Sequence, residues 1–178
     1  MLTYRKFTSR LLIISSLLAL SLSAFSQGRD RSGKMDTVKG LPYFIKVGEG
    51  TGGVKLGSST IADVQRIFGK GKIRDEKSKR NGKIYTDKTV TYKAKGLKFF
   101  AISTPDSATV IYSIEIVMPG ARTERDVVIG SSTQAEVILA YGDPSYRSPA
   151  NISYDTQGVI FEFSNGVVDR ILISQTRQ

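Results

Sequence analysis

The sequence contains neither cysteine nor histidine. Without them the chain has no thiol nucleophile, no imidazole base, no Ser-His-Asp triad and few of the donors that bind zinc. It also has no disulfide and no cysteine for lipid attachment, so its fold must depend on the packing of its core. We therefore expect no cofactor, no metal site and no enzymatic activity.

Long apolar runs are also missing, apart from one near the N-terminus. Residues 11–22 are mostly apolar, follow three basic residues and no acid, and are too few to span a bilayer as a helix. Ala24 and Ser26 then provide small residues at positions −3 and −1 of a cleavage site. This pattern predicts a signal peptide at 1–26 and export to the periplasm or the medium, with an uncleaved N-terminal anchor as the alternative. Residues 27–41 are predicted to be a flexible linker, and no transmembrane span is expected after cleavage.

A short motif occurs twice, 73 residues apart. Leu56–Val64 reads LGSSTIADV, and 129–137 reads IGSSTQAEV. A phenylalanine-glycine pair follows the first copy at the same distance as a tyrosine-glycine pair follows the second. Such self-similarity indicates duplication of one supersecondary unit.

Each copy has the features of a helix start. Thr60 with Asp63, and Thr133 with Glu136, have the spacing of a capping box, in which each side chain bonds the backbone of the other residue. The glycine after each segment is typical of a helix end. The spacing therefore predicts two helices of two to three turns. It also favours a capping role over a catalytic role for both acids.

Runs of β-branched and aromatic residues follow each predicted helix. The sequence predicts an α+β fold, built as a tandem duplication of a short helix followed by a three-stranded antiparallel meander. The first αβββ repeat spans residues 42–120, carries a basic insertion and has an extra strand near Tyr43; the second spans 121–178. The predicted strands lie at 90–92, 96–99, 110–118, 152–154, 159–163 and 167–173.

The first repeat is longer by 11 residues between its helix and its first strand, and this region is strongly basic. Between Lys70 and Lys98 there are eleven lysines and arginines but three acids, a net charge of +8. This charge predicts either a dock for an anionic envelope partner (an acidic protein, a cell-wall polymer or a lipid head group) or a solvated surface loop. Because the chain is predicted to be exported, nucleic acid is disfavoured as a partner of this basic region. The candidate binding residues are Lys72, Arg74, Lys77, Lys79, Arg80 and Lys83.

The second repeat lacks the insertion, so we expect the fold to tolerate deletion of residues 73–83 with a nearly unchanged melting temperature.

The motif G-x-x-T-x-x-[DE]-V-x3-[FY]-G followed by a meander resembles the repeats of the β-lactamase inhibitor protein fold. It is also similar to the domain of small outer-membrane assembly lipoproteins of the BamE (SmpA) type. Two copies in one chain are more similar to the inhibitor. Neither family's characteristic cysteines are present, and no partner-contacting residue of either family can be placed here.

Together with the predicted signal peptide and the lack of a catalytic constellation, the resemblance implies an exported, non-catalytic module for protein-protein interaction, inhibitor-like or scaffold-like. The alternative is an envelope hydrolase or glycan-processing enzyme that uses two carboxylates. That enzyme would need two acids facing each other about 5 to 9.5 Å apart across a cleft.

Overall fold

The computed structural model describes residues 43–80, 82–103 and 109–176, so the predicted signal peptide (1–26) and linker (27–41) lie outside the described residues. Among the described residues there are two α-helices, α1 (Ile61–Phe68) and α2 (Gln134–Tyr141), and a single turn of 3-10 helix at Lys93–Lys95. The twelve strands are β1 (Phe44–Lys46), β2 (Gly50–Thr51), β3 (Val54–Lys55), β4 (Lys72–Arg80), β5 (Lys83–Tyr92), β6 (Leu97–Ser103), β7 (Val110–Ile116), β8 (Arg122–Thr123), β9 (Tyr146–Arg147), β10 (Asn151–Tyr154), β11 (Val159–Ser164) and β12 (Val167–Ser174).

The strands form two sheets. A small sheet has the order β3-β2-β1-β8, and a large antiparallel sheet has the order β4-β5-β6-β7-β12-β11-β10-β9. β7 and β12 pair at the centre of the large sheet, with Ile114 opposite Ile173 and Ile116 opposite Ile171. All four isoleucines are fully buried. This pairing joins the strands that follow α1 to those that follow α2 in one continuous sheet.

The predicted fold class is therefore wrong. The described chain is mostly β, with 50% of its residues in strands and 15% in helices. It is not a repeat of one helix and three strands, because β4 and β9 add a fourth strand after each helix. The side chains described for these two edge strands are exposed on both faces, except Ser78, which is partly exposed, so the strands lack the apolar alternation by which the other strands are recognised.

Aromatic side chains attach α1 to the large sheet. The ring of Phe68, in the last turn of α1, lies 5.7 Å from that of Tyr92 and 5.5 Å from that of Phe99. The Tyr92 hydroxyl donates to the carbonyl oxygen of Gly69, directly after the helix, at 2.7 Å. The small sheet lies on the same side, since the ring of Tyr43 contacts Phe68 at 6.0 Å.

The second half repeats this arrangement. The ring of Tyr141 in α2 lies 5.5 Å from that of Tyr154 and 5.1 Å from that of Phe161. The Tyr154 hydroxyl donates to the carbonyl oxygen of Gly142 at 3.0 Å. Burial raises the pKa of Tyr141 well above its usual value. Both helices therefore pack on one face of the large sheet.

The opposite face of the large sheet, here called the outer face, remains partly exposed. Away from the irregularities at Phe100/Ala101 and Glu162/Phe163, residues on the central strands alternate between buried positions beneath the helices and partly exposed positions on the outer face. Among the outer-face residues are Lys98, Phe100, Glu115, Ile160, Glu162, Arg170 and Leu172.

Both predicted capping boxes are confirmed. The Thr60 amide donates to the Asp63 carboxylate at 2.9 Å, and the Thr133 amide donates to the Glu136 carboxylate at 2.7 Å. In each box the threonine hydroxyl accepts from the amide of the acid. These bonds, from the backbone amide first and the threonine hydroxyl second, lower the pKa of Asp63 and of Glu136.

The lowered pKa values predict a loss of stability in acid. A carboxyl whose pKa is lower in the folded state stabilises the fold above its unfolded pKa, and this contribution is lost as the pH falls through the folded pKa. The melting temperature should therefore fall as the pH is lowered below the ordinary carboxyl values of 3.8 and 4.5. The double variant Asp63→Asn/Glu136→Gln should show a smaller fall between pH 6 and pH 2. An identical fall in both proteins would contradict this prediction.

Candidate functional site

The basic insertion forms a β-hairpin at the edge of the large sheet, and the predicted surface loop is therefore wrong. β4 pairs with β5 in continuous antiparallel register, from Lys72 opposite Thr91 to Arg80 opposite Lys83. Among the described residues, the next strand, β6, pairs with β5 only from Thr86 onward. Within this described part of the chain, the outer part of the hairpin is a two-stranded ribbon in which β4 and β5 form strand pairs only with each other.

The structure places the six candidate residues on this hairpin but does not bring them to one face. Five of them lie on β4, and Lys83 lies on β5. Lys72 and Arg74 line a groove on the outer face. Lys77 and Lys79 have the opposite parity along the strand, so their side chains lie on the face that carries the helices. Arg80 is the last residue of β4.

Acidic residues balance the charge near the base of the hairpin. Asp75 pairs with Lys88 across the two strands at 3.4 Å. Glu76 lies opposite Asp87, which accepts a hydrogen bond from the Ser78 hydroxyl at 3.1 Å. No acid occurs from residue 77 to residue 83. The excess positive charge therefore lies toward the tip.

The hairpin also contributes to the core, and this changes the expected effect of deleting residues 73–83. That deletion would remove Ile73, which pairs with Val90, and Val90 is fully buried. We therefore expect the full deletion to destabilise the fold. A shorter deletion confined to the two-stranded ribbon would leave Val90 covered.

A groove of about 530 Å³ runs along the outer face of β4, β5 and β6. Its floor includes the ring of Phe100, with the Lys98 ammonium 4.8 Å from the ring centroid. Tyr112, on β7, lies next to Phe100, with ring centroids 6.4 Å apart. The charged residues that line the groove are Lys72, Arg74, Glu76, Asp87, Lys93 and Lys98.

A row of ion pairs crosses the centre of the outer face. Glu115 lies 3.7 Å from Lys98 and 3.9 Å from Arg170, and Arg170 also pairs with Glu162 at 3.1 Å. The Arg170 Nε atom is buried and has no hydrogen-bond acceptor among the described residues. These residues lie on β6, β7, β12 and β11, so the row connects the two halves of the sheet.

Sequence reasoning missed this row. Glu115 and Arg170 each interrupt an otherwise apolar strand, and that interruption was the available signal. It did not reveal that the two residues face each other. Arg170 contacts both Glu115 and Glu162, so this geometry describes an ion-pair network rather than two acids facing each other across an open cleft.

No three potential metal-binding side chains cluster together within the described part of the chain. Neither described helix is long and apolar enough to cross a lipid bilayer. No family model, curated protein or solved structure matches this chain. The resemblance to the inhibitor and lipoprotein repeats therefore stays a prediction.

Proposed function

We propose that this chain is an exported, non-catalytic module that binds another envelope protein through the outer face of its large sheet. The observation that carries the proposal is the exposure of this face along the central strands, while both helices pack on the opposite side. Anionic polymers or lipid head groups are further possible partners through the basic hairpin.

The size of the outer face suits a protein partner. Eight strands about 4.8 Å apart and about 20 Å long cover roughly 700 Å². A standard protein-protein interface buries about 800 Å² on each partner. The face is therefore large enough for a stable complex, whereas a small ligand would occupy only a fraction of it.

The composition of the outer face also supports protein binding. Phe100 and Tyr112 form a partly exposed aromatic pair, and Arg170 lies nearby on the central strands. Aromatic and arginine side chains are the residues that most often dominate the energy of protein interfaces. Glu115 and Glu162 hold the Arg170 side chain in place, which reduces the entropy lost when a partner binds.

A binding experiment tests this function. The purified mature protein would capture partners from an envelope extract, and the affinity of each captured protein would be measured by calorimetry. Replacing Phe100 and Tyr112 with alanine should weaken binding by about 10- to 100-fold, as expected for truncation of an aromatic anchor. The matched control is Phe44→Ala/Leu139→Ala, which removes exposed apolar side chains from β1 and α2.

Two results would contradict the proposal. If both double variants bound as well as the original chain, the outer face would not be the binding surface. If the protein instead turned over an envelope substrate, and Glu115→Gln or Glu162→Gln abolished this activity, the carboxylate hydrolase would be the better interpretation.

A further inference from the structure

β4 is a long strand at the edge of the large sheet, and one side of its backbone pairs with no other described strand. It contains nine residues and, within the described residues, pairs with β5 alone. Alternate N–H and C=O groups along the other side of an edge strand point away from the sheet and can pair with another chain. Nine residues of strand present such groups over about 30 Å.

The two edges of the large sheet are built differently. The opposite edge, β9, has only two residues, and Pro144 and Pro149 lie close to it in sequence. Shortness and proline are common means of preventing unwanted strand pairing at an edge. β4 contains no proline and no glycine. The first repeat, which carries the insertion, therefore has a long edge strand, whereas the second repeat has the short edge strand β9 with prolines nearby in sequence.

The charge of β4 determines which strands can pair with it. The strand carries five basic and two acidic residues, a net charge of +3. Lysine on an edge strand opposes pairing between copies of the same chain, because like charges on neighbouring strands repel. The same residues attract a strand that carries acidic side chains. The edge therefore disfavours a second copy of this chain and favours an acidic segment.

We propose that β4 binds an extended acidic polypeptide segment, which adds to the large sheet as a ninth strand. Backbone hydrogen bonds would provide affinity, and alternating side chains would provide specificity. Lys72 and Arg74 would contact acids on the outer face, and Lys77 and Lys79 would contact acids on the other face. The inference rests on the proposed function in protein binding but assigns a second surface to it.

A synthetic peptide provides the first test. The probe is the ten-residue peptide Glu-Glu-Thr-Thr-Glu-Glu-Thr-Thr-Glu-Glu with blocked termini, added to the purified mature protein; as an extended strand it carries glutamates on both faces. The matched probe has the same sequence with every peptide nitrogen methylated, so it keeps the charge but cannot donate backbone hydrogen bonds. The first peptide should bind at least about tenfold more tightly, and it should slow hydrogen exchange at the β4 amides.

Variants of the hairpin provide the second test. Lys77→Glu/Lys79→Glu should weaken binding of the unmethylated peptide by about tenfold or more at low salt. The control Lys55→Glu/Lys95→Glu makes the same charge change at exposed lysines outside the hairpin. A third variant shortens the hairpin by replacing residues 77–86 with Asn-Gly. Glu76 and Asp87 are directly opposite each other on β4 and β5, so in this variant they would flank a two-residue turn. It should fold, yet lose binding.

Equal binding of the methylated and unmethylated peptides would overturn strand addition, because the contact would then be electrostatic only. Strand addition would also be overturned if the peptide did not bind and the protein instead bound phosphatidylglycerol vesicles through Lys77 and Lys79. The variant Phe100→Ala/Tyr112→Ala should bind the peptide as the original chain does. If the peptide fails to bind while a captured protein still depends on the outer face, strand addition is wrong and the proposed function stands.

Discussion

Replacing Phe161 with alanine is expected to lower the free energy of unfolding by about 3–5 kcal/mol. The side chain is fully buried, and its ring lies 5.1 Å from that of Tyr141 and 6.2 Å from that of Tyr154. Truncation would leave a cavity where α2 rests on the sheet, and rigid surroundings close such cavities only partly. Urea denaturation of the purified protein would measure the effect.

Two further variants make this prediction specific. Phe99→Ala removes the corresponding ring beneath α1 and should destabilise the protein by a similar amount, because Phe99 is also fully buried. Phe100→Ala removes a neighbouring ring from the partly exposed outer face, so its effect should be about 1 kcal/mol. If Phe161→Ala and Phe100→Ala had the same effect, the aromatic clusters would not be the main attachment of the helices.

The helices could be predicted because their signals are local. A capping box connects two residues three positions apart, and the Thr60–Asp63 and Thr133–Glu136 bonds confirm both boxes. The duplication also places Tyr92 and Tyr154 at equivalent positions, since each donates to the glycine carbonyl after its helix. Local pattern and internal repetition were sufficient for these features.

The fold class could not be predicted, because β4 has no strand pattern. Its side chains are mostly charged, and those described lie exposed or partly exposed on both faces of the sheet edge. This segment is a strand because its backbone pairs with β5, and backbone pairing does not produce a hydrophobic pattern in the sequence. A charged segment of this kind is therefore easily mistaken for a solvated loop.

The candidate site was predicted in part for a similar reason. The six basic residues were identified by their charge density, which is a property of the sequence alone. Their division between two faces follows from strand parity, which becomes visible only once the segment is known to be a strand. The pairing of Glu115 with Arg170 depends on β7 lying next to β12, a long-range contact that composition cannot reveal.

Gly158→Ala should destabilise the fold by about 3 kcal/mol, through backbone geometry rather than through the core. Gly158 lies in the turn between β10 and β11 with φ of 71°, a left-handed conformation that an L-residue with a Cβ adopts at a penalty of about 1–2 kcal/mol. A Cβ there would also collide with the carbonyl oxygen of Ser174 at the end of β12. Relief of such overpacking by a backbone shift adds about 1–3 kcal/mol.

Gly166→Ala is the matched control for this clash. Gly166 has a similar φ of 81°, and, apart from Gly166 and its two chain neighbours, no described residue has an atom within 4 Å of the position its Cβ would occupy. Its substitution should therefore have only the conformational penalty of about 1–2 kcal/mol. Chemical denaturation of both variants would measure the difference. Equal destabilisation would show that the end of β12 moves away without penalty, whereas a larger effect at Gly158 would show that the backbone at Ser174 resists this displacement.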